Sequence, residues 1–163
     1  MPTIELTAVI RRPLNEVFEF LQDLSNYRRF LPESHFSDVV SGDAVGGRNA
    51  AELKWRALGK WWAARLEVDQ HILDERLVIR ATDSSFPFTW TWTLSELKKD
   101  RKGERTEVHL MADVHPPGGS VGSMIAGPFL ERSLLKTYDP LMRLLDETLA
   151  GKKRSGLRSK RTG

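Results

Sequence analysis

From residue 35 to residue 114 the chain repeats one pattern, in which apolar and polar residues alternate with a period of two. Successive side chains of a strand point to opposite faces, so each run predicts a half-buried β-strand. Ala51, Leu53, Trp55 and Ala57 oppose Glu52, Lys54 and Arg56. Trp62, Ala64, Leu66, Val68, Gln70 and Ile72 oppose Arg65, Glu67 and Asp69. Phe86, Phe88, Trp90, Trp92 and Leu94 alternate with Thr89, Thr91, Thr93 and Ser95, and Val108, Leu110, Ala112 and Val114 mark the last run. A weaker run covers 35–41, and 76–82 is rich in β-formers. Turns are expected at Gly42 to Gly47, at Gly59-Lys60, at Asp74-Glu75 and in a polar loop from Lys98 to Glu104. Strands this closely spaced make an antiparallel meander.

The flanks have other periods. Ile4, Leu6, Ala8 and Ile10 alternate as one more strand. Pro13 suits the first turn of a helix, and Leu14, Val17, Phe18 and Leu21 fall at helical spacing over 13–23. A second short helix fits 24–30, with Ser25 as its cap and Pro32 as its stop. After Pro116-Pro117-Gly118-Gly119 the spacing is helical from Ser120 to Ala150, with Gly151 as C-cap. Pro128 and Pro140 should kink or segment that helix. It is the one long apolar helix available to cover the sheet. The expected fold is therefore α+β, a curved antiparallel sheet of about seven strands wrapped around a long C-terminal helix, with two short helices after strand 1.

A length of 163 residues suits one domain, expected over 1–151. Residues 152–163 carry six basic side chains and no acidic one, which leaves 19 basic and 22 acidic residues in the body, net −3. This tail has one large apolar residue, Leu157, and reads as disordered. Its charge suits solvation first, and weak contact with an anionic membrane or RNA second. No specific DNA binding is expected. The chain has no cysteine, which excludes disulfides, thiolate metal sites and Cys nucleophiles. The N-terminus lacks a signal-peptide pattern, and the longest apolar run is Trp61 to Ala64, far short of the roughly 20 residues a membrane-spanning helix needs. A cytoplasmic location is the expectation.

The opening strand IELTAVIRRP, followed by LNEVFEFLQDLSNYRRFLP, resembles the START-like (SRPBCC) superfamily of polyketide cyclase/dehydrase and lipid transport proteins. Pro13, Val17, Phe18, Asp23, Tyr27 and Pro32 carry the resemblance, with LMRLLDETL in the terminal helix. It covers residues 2 to about 150. It implies a helix-grip fold, with a cavity between sheet and long helix that holds an apolar or amphipathic small molecule. It implies no universal catalytic set.

Strand parity then proposes a lining. Trp55, Trp62, Leu66, Val68, Gln70, Phe88, Trp90, Trp92, Leu110 and Ala112 face inward, and Phe129 joins them from the terminal helix. Gln70 is the single polar member that parity places there, and Arg80 is the candidate charged one. His71, His109, Asp113 and His115 fall on the outer face. His109 and Asp113 lie roughly 13 Å apart along a strand, too far to share an ion, so no metal site is expected. Gly118-Gly119-Ser120-Val121-Gly122 matches the G-x-S-x-G nucleophile elbow in letters only. Every histidine precedes Ser120, and Pro116-Pro117 blocks the preceding strand. The better reading is a gating loop at the cavity mouth, with Ser120 or Ser123 as N-cap. No nucleotide fingerprint or cofactor motif is present. The pattern suits binding or carrying of a hydrophobic molecule, a lipid, quinone or polyketide. A cyclase/aromatase that works by proximity is the alternative. A ribosome- or membrane-associated protein acting through its tail is the third reading.

Overall fold

The computed structural model describes residues 3–42, 45–81, 84–117 and 119–151, with backbone alone for Arg48 and for 119–128. Seven strands form one antiparallel sheet: β1 (Thr3–Ile10), β2 (Phe36–Gly42), β3 (Gly47–Ala57), β4 (Lys60–Ile72), β5 (Arg76–Ala81), β6 (Phe88–Asp100) and β7 (Gly103–Val114). Their order is β1-β7-β6-β5-β4-β3-β2. The meander runs from β2 to β7, and β1 closes beside β7 with Ile4 opposite Ala112 and Ile10 opposite Thr106.

Two short helical segments carry the chain from β1 to β2 at the far edge. The first is α1 (Leu14–Gln22), which buries Val17, Phe18 and Leu21 and takes Pro13 as its N-cap. The second expected helix is a 3-10 segment, Leu24–Arg29. Asp23, not Ser25, caps it: the carboxylate accepts from Ser25 N at 3.0 Å and Ser25 Oγ at 2.6 Å. Tyr27 Oη then donates to Leu21 O at 2.7 Å, which satisfies a carbonyl at the end of α1. Phe36 N donates to Pro32 O at 2.9 Å and starts β2. The motif residues of this region are thus the caps and staples of two consecutive turns.

The C-terminal helical stretch is α2 (Gly119–Tyr138) followed by α3 (Leu141–Leu149). Pro140 divides it, as expected, whereas the helix runs through Pro128 without a break. Leu130, Leu134 and Tyr138 are buried at a spacing of four, one stripe of a helix facing the sheet. On α3, Leu141, Met142 and Leu145 are buried, and Arg12 Nε donates to Leu149 O at 2.8 Å, satisfying a terminal carbonyl. The expected caps Ser120 and Ser123 and the tail 152–163 lie outside the described side chains and residues.

Two turns differ from expectation. The β3–β4 hairpin turns on Leu58-Gly59, one residue early, with φ of 54° and 73°. Two positive φ values match the twist of the flanking strands, and Gly59 takes its value at no steric cost. The segment Lys98 to Glu104 is not a loop: β6 runs to Asp100 and β7 begins at Gly103. The Asp100 carboxylate holds this turn, accepting from Lys102 N at 2.9 Å and from Arg11 Nη1 at 2.9 and 3.0 Å. Arg11 keeps that carboxyl below its usual pKa.

Candidate functional site

Antiparallel partners share a face, so the register states which side chains meet on the concave side. Trp90 lies between Ile79 and Ala112, Trp92 between Leu77 and Leu110, and Phe88 between Ala81 and Val114. Trp55 lies between Phe36 and Trp62, and Leu66 between Ala51 and Ala81. Trp55, Leu66, Phe88, Trp90, Trp92, Leu110 and Ala112 are all buried and share one core cluster, with partly buried Val68 packed against it. The structure therefore brings seven of the expected lining residues together. Trp62 stands at the margin, half-buried, with Nε1 donating to Ala57 O at 2.9 Å.

Parity fails in β4 beyond Val68. Val68 pairs with Ile79, but Gln70 pairs with Val78, so Asp69 is one extra residue in the strand. Such a bulge reverses every side chain after it. Gln70 is turned outward and exposed. Arg80 is exposed too, and its Nε meets Asp69 Oδ2 at 2.8 Å outside the sheet. Neither belongs to the concave lining. Phe129 is 70% exposed and does not line it either. The same bulge turns His71, still open to solvent, towards α1 and off the outer face, where its ring lies 5.1 Å from that of Phe18 and its Nε2 is 2.6 Å from Gln22 Oε1.

His109 and Asp113 stay outside, as expected. His109 Nε2 lies 3.1 Å from Glu5 Oε1, and Asp113 accepts from Thr3 Oγ1 at 2.6 Å. Among the described residues no group of three His, Asp or Glu side chains gathers for a metal ion.

The aromatic set is larger than strand parity alone suggests. Phe86, in the segment before β6, stands 4.8 Å from Trp55 and 5.2 Å from Trp62, ring centre to ring centre. Trp55 continues to Phe88 at 5.1 Å, and Phe88 to Trp90 at 4.9 Å. Tyr27 stacks on Trp90 at 6.0 Å and meets Trp92 edge-on at 6.5 Å. Phe36 touches both Trp90 and Tyr138. Tyr27 and Tyr138 were visible only as a helix-motif residue and a helical-stripe residue. Nothing in either pattern announced that their rings meet the tryptophans.

The face has two ends. One, at Trp92, Leu77 and His71, is closed by α1 and the 3-10 turn. The other, at Phe88, Phe86 and half-buried Trp62, leads to residues 84–87 and 115–117 and the β3–β4 hairpin.

Polar atoms on this face are few. Trp90 Nε1 donates to Tyr138 Oη at 2.8 Å. Burial pushes the pKa of both Tyr27 and Tyr138 up, against a smaller downward pull from the neighbouring indoles, so both stay neutral. Trp55 Nε1 and Trp92 Nε1 are buried with no hydrogen-bond partner. The Trp92 nitrogen lies close enough to Tyr27 to affect its ionisation, yet not in bonding geometry. Among the described residues, the buried polar side chains besides the tyrosines and tryptophans are Thr106 and Thr137, and no carboxylate, lysine or arginine is buried. His35 sits where β2 begins, with Nδ1 2.8 Å from Ser34 Oγ, and burial with Arg56 and Lys136 nearby lowers its pKa.

Two surface clefts differ in character. One, of about 530 Å³, is lined by Glu16, Glu19, Gln22, Asp23, Asn26 and Arg29 among others. Another, of about 340 Å³, involves Asp38, Glu52, Lys54 and Arg65. Neither contains an expected lining residue. No helix among the described residues is long and apolar enough to cross a membrane.

Comparison with known proteins agrees with this architecture. A search of curated proteins finds no match. Among solved structures, a START superfamily protein from Mycobacterium smegmatis superposes with a TM-score of 0.66 at 11% identity, covering 91% of this chain and 97% of that one. TTHA0849 from Thermus thermophilus gives 0.65 at 19% identity, with 92% and 98% covered. The Zhui aromatase/cyclase from Streptomyces sp. R1128 gives 0.59 at 17% identity, with 92% of each chain covered. At these identities the likeness is one of fold. The profile of a family described as polyketide cyclase/dehydrase and lipid transport matches residues 1–149, so the chain belongs to that family.

Proposed function

We propose that residues 1–151 bind and carry a hydrophobic small molecule, of lipid, quinone or polyketide type, in a chamber between the sheet and α2. The observation that carries this reading is the concave lining: a continuous aromatic surface with no ionisable acid or base pair among the described residues. Sites for apolar ligands combine such a lining with a few placed polar groups. The mouth of the chamber is assigned to the end at Trp62 and Phe86, beside residues 115–117; the gating expected of Pro116-Pro117-Gly118-Gly119 falls in part on Gly118, which lies outside the described residues. Trp55, Trp62, Leu66, Phe88, Trp90, Trp92 and Leu110 are its proposed contacts. Cysteine-free composition suits a reducing compartment, and the cytoplasm is our assignment.

The family description and the fold shared with an aromatase/cyclase favour a second reading, cyclisation of a reactive polyketide chain. Holding a flexible chain in one folded conformation lowers a barrier by itself, so an apolar chamber is compatible with catalysis. The experiment is native mass spectrometry of freshly purified protein, with extraction and identification of the bound molecule. A stoichiometric adduct lost on denaturation supports the chamber. If no adduct forms, and none appears after incubation with fatty acids, quinones or aromatic polyketides, the reading fails. Turnover of a linear polyketide would select the second reading over the first.

A further inference from the structure

The two unpaired indole nitrogens impose a chemical condition on the occupant of the chamber. An indole N–H only donates. Left unpaired in a buried place, such a group costs the full desolvation of a donor, and buried polar groups in proteins are otherwise nearly always paired. Among the described residues three other donors on this face are spent: Trp90 on Tyr138, Trp62 on Ala57 O, and Tyr27 on Leu21 O. Buried Thr106 donates to Arg12 O, and buried Thr137 to Ser133 O. Tyr138 accepts from Trp90, and its own proton has no acceptor among the described residues. The hydroxyl oxygens keep lone pairs that can still accept, but among the described residues none of them reaches the Trp55 nitrogen, which stays a donor without an acceptor.

Of the two orphans, Trp92 lies at the closed end beside the Tyr27 ring, 6.5 Å away. Trp55 stands next to half-buried Trp62 and within 4.8 Å of Phe86, at the end assigned to the mouth. Phe86 and Phe88 meet the Trp55 ring at 70° and 74°. Their faces can offer an N–H···π contact at most, which is a weak substitute for an oxygen.

Resting on the chamber reading, the geometry points to a ligand that presents a hydrogen-bond acceptor, a carbonyl-bearing polycyclic molecule, with the Trp55 indole N–H as its specificity-determining donor. A hydrocarbon that brings no oxygen leaves Trp55 unpaired. Selection then acts on the acceptor oxygen and not on apolar area.

Three molecules of nearly one shape test this: fluorene, 9-fluorenone and 9-fluorenol, with decane as the acceptor-free chain control. Dissociation constants are measured by calorimetry on the full chain. One net hydrogen bond corresponds to roughly fivefold to tenfold in affinity. The expected order is fluorenone tightest, at least about fivefold ahead of fluorene, with fluorenol between them. In Trp55→Phe the fluorenone advantage falls below about twofold, while Trp61→Phe, on the exposed surface, keeps it. If fluorenone and fluorene bind the wild-type protein equally, or decane alone binds, the acceptor inference is overturned and the chamber stands. If none of the four binds, the chamber reading itself falls. Because the first comparison uses the wild-type chain, it holds even if Trp55→Phe fails to fold.

Discussion

Replacing Tyr138 with Phe removes one oxygen from the centre of the molecule. The ring stays, and with it the edge-on contacts to Trp90 and Phe36, each at 6.3 Å between centres. The acceptor for Trp90 Nε1, at 2.8 Å, is lost. Both side chains are fully buried, so water cannot replace it. An orphaned buried donor costs about 1–3 kcal/mol. Part returns, because the deleted hydroxyl carries a proton of its own without an acceptor among the described residues. A net loss of about 1–2 kcal/mol is expected, or roughly 2–8 °C in Tm for a domain of this size. Trp90→Phe removes the donor instead and leaves a cavity, which costs more. The double variant isolates the pair, since its coupling contains neither the cavity nor the ring. Thermal and urea unfolding of the four proteins, followed by circular dichroism, should yield a coupling of about 1 kcal/mol. Equal stability of Tyr138→Phe and wild type, together with additive effects in the double variant, would refute the claim that this bond joins helix to sheet.

Other expectations follow from the same geometry. Gln70→Leu and Arg80→Ala alter exposed side chains, so each should change stability by less than about 0.5 kcal/mol and leave ligand affinity unmoved; a tenfold loss of affinity would return either residue to the chamber. His35 has a lowered folded pKa, so the unfolded chain takes up its proton first and stability falls as pH drops below about 7 through the ordinary value near 6.5. His35→Gln should flatten the Tm-against-pH curve there, and an unchanged slope would dismiss the residue as its source. Asp100, with its pKa lowered by Arg11, contributes stability above its ordinary value that is lost on acidification below it. Asp100→Asn should therefore weaken the protein at pH 7 more than at pH 3, and equal losses at both would contradict the role. Truncation after Gly151 should leave Tm unchanged and abolish any low-salt binding to anionic vesicles or RNA; binding that survives truncation would locate it in the body.

The sheet was legible because one face of each strand is apolar, and a period of two has one reading. Trp90, Trp92, Phe88 and Leu110 fell where alternation placed them. Alternation carries no information about an inserted residue. Asp69 looks like any outward carboxylate in sequence, yet it is the bulge that turned Gln70 out and swung His71 towards α1. The 3-10 turn was half-legible: Pro32 marked its end, but Asp23 and Ser25 are both good caps, and the choice rests on where the carboxylate reaches. Pro128 promised a break that the helix does not make, whereas Pro140 made one. Partnership was the least legible property. That Trp90 is paired and Trp55 is not depends on Tyr138, 48 residues further along the chain from Trp90. No local pattern encodes such a distance.

Five tryptophans give five indole N–H resonances in a nitrogen-15 correlation spectrum, each a separate reporter. Trp61 is exposed, Trp62 and Trp90 are bonded within the protein, and Trp55 and Trp92 are unpaired. Titration with 9-fluorenone should move the Trp55 resonance downfield as its N–H gains an oxygen, leave Trp61 in place, and shift the others only by ring currents that fluorene reproduces. A titration that moves Trp61 and leaves Trp55 untouched would put the ligand on the outer surface and contradict the account.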